Sequence, residues 1–105
     1  MAETTTQDGN VHRRVLKLAY SHKELIRAVP KVFEPLPVKV EGTRLVADNG
    51  EKKITLDLGP EKTRKLGASL QMQDTEITFT FRGYTEEEVD VFMKYFVLRT
   101  QRGGG

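Results

Sequence analysis

The segment RLVADNGEKKITLDL, residues 44–58, limits the fold more than any other part of the chain. Asn49-Gly50 stands between two runs of alternating apolar and polar residues, and both residues accept the positive φ that a tight type I′ hairpin needs. With those two as the loop, Asp48 faces Glu51 and Leu45 faces Ile54. Upstream, VKVEGTRL offers a second reversal at Glu41-Gly42, setting Val40 opposite Thr43 and Val38 opposite Leu45; Gly42 as a bulge in one long strand is the alternative. Both registers put Val38, Leu45 and Ile54 on one face.

The same period of two recurs at either end of the chain. Between Val11 and Tyr20, Leu16, Leu18 and Tyr20 alternate with Val15, Lys17 and Ala19, and TEITFTF places Ile77, Phe79 and Phe81 on one face. After the first of these, SHKE has the spacing of a capping box, Ser21 with Glu24, and opens a helix with Leu25, Ile26 and Val29 as its buried stripe, joined by Val32 or Phe33 if the helix survives Pro30. Pro30 predicts a kink or an end near residue 29. Pro35 and Pro37 then carry the chain out as an extended connection. A second helix opens at Thr85 and Glu88, again at capping-box spacing, with Glu86, Glu87 and Glu88 where the helix dipole favours negative charge. Its buried stripe is Val89, Phe92, Met93 and Phe96, with Val97 at the margin.

The order is β-α-β-β-(β)-β-α. The expected architecture is an α+β two-layer sandwich: an antiparallel sheet of four to five strands, with two helices on one face and the other face open. Residues 11–102 form the single domain; 1–10 and the glycines 103–105 read as flexible tails, because neither has apolar surface to offset the entropy of ordering.

A chain of 105 residues without cysteine has no disulfide, thiolate metal site or thiol nucleophile. The N-terminus lacks the basic and apolar regions of a signal peptide and no window is apolar enough to span a membrane, so a cytoplasmic protein is expected. Net charge is only +2, but it is unevenly spread. Residues 11–33 carry Arg13, Arg14, Lys17, Lys23, Arg27 and Lys31 against Glu24, and residues 73–92 reverse the balance, a dipolar pattern that orients partners.

Three classes of function compete. The open face should gather Arg13, Lys17, Lys39, Arg44, Lys53 and Arg82 against Glu51, Asp57 and Glu76. The leading expectation is a small non-catalytic binding or accessory module that contacts protein through this face or a strand edge, self-association included, with Val15, Lys39, Arg44, Val46 and Lys53 at the interface. The alternative is sequence-independent nucleic-acid binding by Arg13 and Lys17 of the first strand with Lys62, Arg64 and Lys65 of the basic loop 60–67, where Pro60 and Gly67 could bracket one helical turn whose amides hold a phosphate. The outward positions hold no aromatic residue, so bases have nothing to stack on. An enzyme ranks third: His12 and His22 are the only histidines, and no serine or carboxylate is spaced to complete a triad or a metal set. No cofactor, small-molecule ligand or membrane is expected as a partner. The acidic opening TEEE of the last helix departs from a double-stranded-RNA-binding domain, and the missing final strand departs from an RNA-recognition motif.

Overall fold

A computed structural model describes residues 11–100; the tails expected at 1–10 and 103–105 lie outside them. Eight elements follow in order: β1 (Val11–Leu18), α1 (His22–Phe33), β2 (Val38–Glu41), β3 (Arg44–Asp48), β4 (Lys53–Leu58), β5 (Lys62–Lys65), β6 (Gln71–Arg82) and α2 (Glu86–Thr100). The sheet runs β1-β6-β4-β3-β2, every pair antiparallel, and β5 pairs with the N-terminal part of β6. The α+β class, the antiparallel sheet with two helices and, broadly, the element order are as the sequence suggested, with β5 as an additional strand. Among the described residues no helix is long and apolar enough to cross a membrane.

Alternation decides which face is buried. Leu45, Ala47, Ile54, Leu56, Leu58, Ile77, Phe79 and Phe81 are all buried and meet Leu25, Val29 and Val32 from α1 and Val89 and Phe96 from α2. Phe79 and Phe96 pack edge to face at 5.0 Å, and Phe33 stacks on Phe92 at 5.4 Å, so aromatic rings tie both helices to each other and to the sheet. Val40, on the same side but near the edge, is 42% exposed. Both capping boxes form. Glu24 N–H donates to Ser21 Oγ (3.2 Å) and Ser21 N–H to Glu24 Oε1 (2.9 Å), while Thr85 and Glu88 exchange the same two bonds at 3.1 and 2.9 Å.

Three local expectations need correction. Helix α1 runs through Pro30 to Phe33 rather than ending near residue 29; the buried Val32 and the Phe33–Phe92 stack anchor the turn that Pro30 weakens. The β3–β4 loop has four residues, not two. Asp48 pairs with Lys53 and Leu45 with Leu56, because Asn49 Oδ1 accepts from the N–H groups of Glu51 (3.0 Å) and Lys52 (2.8 Å) and builds a wider turn. Glu51 therefore sits in the loop, outside the open face. Gly42 is a turn residue at φ +62°, and the β2–β3 loop is Gly42-Thr43, so Glu41 pairs with Arg44 and Val40 with Leu45.

Segment 60–67 forms no helical turn. Leu58 pairs with Ile77 and Lys62 with Asp74, so Pro60 and Glu61 span a single position of β6, Thr75, in the manner of a bulge. The chain then continues as β5. Gly59 N–H donates to the Glu76 carbonyl (2.8 Å), and Leu66 N–H donates to the Leu70 carbonyl (2.8 Å), closing a β5–β6 ribbon.

Candidate functional site

Every second strand residue points away from the helices, and the register arranges these residues in rows across the sheet. One row reads Arg13, Thr80, Thr55, Val46, Lys39, from β1 through β6, β4 and β3 to β2. The next reads Val15, Thr78, Asp57, Arg44, Glu41. On the other side of the first row, Arg82 lies between Val11 and Lys53. Arg82 and Lys53 are thus like charges directly opposite one another, an arrangement that weakens a strand pair unless something anionic lies between them. Arg13 stands on the diagonal to Arg82. Together with Arg44, Thr55, Asp57 and Thr80 these three cations line a shallow concavity in the centre of the open face.

Of the carboxylates near this concavity, Asp57 lines it and Asp48 lies directly across from Lys53 in the β3–β4 register. Arg44 Nε donates to Asp57 Oδ1 at 2.7 Å, and that bond, with the charge of Asp57, raises the guanidinium pKa above its ordinary value. Asp48 Oδ1 accepts from the Gly50 amide at 2.8 Å. Lys39 Nζ lies 3.8 Å from Glu41 Oε2, both well exposed. Among the described residues, Arg13, Lys17, Lys53 and Arg82 form no ion pair. Arg14, on the opposite side of β1, pairs with Asp90 at 3.2 Å, so the arginine that turns inward is neutralised and its outward neighbour is not.

No family model, curated protein or solved structure matches this chain.

The cations of the second segment are split by β5. By register Lys62 and Arg64 pair with Asp74 and Met72, on the side continuous with the open face, while Lys65 pairs with Gln71 on the other. Arg64 is occupied, with Nε 3.1 Å from Asp74 Oδ2. Lys62, Arg64 and Lys65 therefore do not converge on one point, whereas Arg13, Lys53 and Arg82 do. Val15 is 60% exposed and Lys17 exposed beside it on the edge strand; Val46 lies half-buried between Thr55 and Lys39. Arg82, expected on the open face but not among the binding residues, and the outward Thr55 and Thr80 are the additions to the site. The signal for Arg82 was its parity with Thr78 and Thr80; its closeness to Lys53 needed the β4–β6 register.

His22 is used structurally. Its Nε2 lies 2.5 Å from the Gly59 carbonyl and its backbone N–H donates to Glu61 Oε2 at 2.6 Å, fastening the start of α1 to the β4–β5 connection. Glu61 is 37% exposed, and its carboxylate lies 4.0 Å from His22 Nδ1. Among the described residues no three histidine or carboxylate side chains gather as a metal site would require.

Proposed function

We propose that the protein is a non-catalytic binding module whose open sheet face holds the phosphate backbone of a nucleic acid without reading its sequence. The observation that carries this reading is the cluster of Arg13, Lys53 and Arg82 around Thr55 and Thr80, three cations that form no ion pair among the described residues. Guanidinium and ammonium groups offer charge-assisted hydrogen bonds to phosphate oxygens, and threonine hydroxyls add neutral donors between them. Lys17 at one end of β1 and Lys62 on the ribbon add further cations on this side, across from Glu76 and Asp74 respectively. With no outward aromatic residue, contact is to backbone rather than to bases, and affinity comes from counterion release.

The test is a titration of labelled duplex and single strand with two triple variants. Arg13→Ala/Lys53→Ala/Arg82→Ala abolishes binding, while Lys62→Ala/Arg64→Ala/Lys65→Ala weakens it less. The reverse ranking would move the grip to the ribbon. A second reading, docking of a protein strand along β1, is favoured by the exposed Val15 on what is, among the described residues, the edge strand of the sheet. Binding by that route is insensitive to the first triple substitution's loss of phosphate contacts on the sheet face.

A further inference from the structure

The two edges of the sheet differ in kind. Among the described residues β1 and β2 are its outermost strands. Cationic side chains on an edge strand ordinarily blunt it against pairing, and β1 follows that rule, carrying Arg13, Arg14 and Lys17 and no acidic residue. The charges of a second β1 laid against it meet only their like. On β2 the outward positions are Lys39 and Glu41, one of each sign. Their neighbour Val40, on the helix side, is 42% exposed although Leu45, its partner across the β2–β3 pair, is fully buried.

The register of β2 decides how a second copy lies along it. The hairpin to β3 has a two-residue loop, Gly42-Thr43, so Glu41 and Arg44 are the hydrogen-bonded pair that closes it. Bonding alternates along a strand. Glu41 and Lys39 thus turn their backbone groups toward β3, and Val40 and Val38 turn theirs out to the edge. An antiparallel copy with the twofold axis at Val40 lets the two Val40 residues exchange both backbone bonds and brings Val38 opposite Gly42. Lys39 then faces Glu41 of the second copy, twice over, in the close non-hydrogen-bonded position with Cα atoms about 4.5 Å apart. The Lys39–Glu41 contact within each chain, 3.8 Å between exposed side chains, becomes one side of a ring of four alternating charges and does not compete. Sliding the copy by two residues, the step that preserves the bonding pattern, sets Lys39 on Lys39 in one direction and Glu41 on Glu41 in the other. A single register therefore satisfies backbone, charge and apolar contact together. We infer that the protein self-associates as a twofold dimer by antiparallel pairing of β2 with β2 of a second copy, centred on Val40, in one continuous sheet. The inference does not rest on what the open face binds, and its test contains no nucleic acid.

The contact is short and belongs with transient interfaces, so full-length protein is weighed by sedimentation at concentrations up to about 1 mM. The wild-type mass should rise to two copies. Lys39→Glu and Glu41→Lys each set like charges opposite one another and should stay at one copy, with thermal melting unchanged at low concentration. An equal mixture of the two restores both opposite-charge pairs and should again reach two copies. Because the chain has no native cysteine, oxidised Val40→Cys should link to its own copy, whereas Lys39→Cys, offset by two residues across the axis, should not. A wild type that remains one copy throughout overturns the inference. So does a dimer that survives both single substitutions, a mixture that stays at one copy, or linking of Lys39→Cys in preference to Val40→Cys.

Discussion

At the scale of single residues, the difference between Arg44 and its neighbours shows how charge is allotted on the sheet face. Arg44 has a carboxylate at 2.7 Å and is held to it; among the described residues Arg13, Lys53 and Arg82 form no ion pair. Asp57→Asn removes that claim on Arg44 and adds one net positive charge to the concavity, so nucleic-acid affinity should rise, together with a steeper salt dependence by about one unit of the log–log slope. Anisotropy titrations of the two proteins at several salt concentrations measure both, and an unchanged slope would mean that Arg44 stays outside the contact. Glu88 offers a second reading at this scale. The Thr85 amide first, then the Lys52 ammonium, hold its carboxyl below the ordinary range. A depressed folded pKa contributes stability above the unfolded value, and that contribution is lost as pH falls through the folded one. Thermal melts should therefore separate wild type from Glu88→Gln near neutral pH and converge in acid. A gap that persists in acid would mean that packing, not charge, is what Glu88 supplies.

At the scale of elements, periodicity and caps were legible and register was not. Ser21 with Glu24 and Thr85 with Glu88 mark the two helix starts because a capping box is a local reciprocal bond, complete within four residues. The two hairpin registers were each displaced by two residues, since the loops are Asn49–Lys52 and Gly42-Thr43 rather than Asn49-Gly50 and Glu41-Gly42. An even displacement keeps every strand side chain on its own face, which is why the core and, apart from Glu51, the open-face residues survived a wrong alignment. β5 was illegible for a different reason. KTRK has no apolar residue to alternate; it is a strand only because β6 extends to Gln71 and offers it a partner, with the Arg64–Asp74 bridge and the Thr63–Gln73 hydrogen bond across the pair. The packing of α2 on the sheet is tested at this scale. Phe96, fully buried and 5.0 Å from Phe79, should lose about 3–5 kcal/mol on replacement by alanine. A loss well under about 1 kcal/mol in denaturant unfolding would mean that α2 does not rest where the Phe79–Phe96 contact puts it.

At the scale of the whole molecule, both helices pack on one face of the sheet, and among the described residues no element covers the other. The charge of that second face is set by alternation along five strands rather than by any single motif, and the sequence therefore displayed its cations without displaying their meeting point. Net charge hides this, since the acidic residues cluster at the start of α2, across the sheet from the basic concavity. The most direct test of the central claim is the salt dependence of duplex binding by the wild-type protein. Contact of Arg13, Lys17, Lys53 and Arg82 with about four phosphates predicts an affinity roughly 100-fold weaker at ~200 mM than at ~50 mM salt. An affinity that hardly changes over that range, or no binding at ~50 mM, would contradict it.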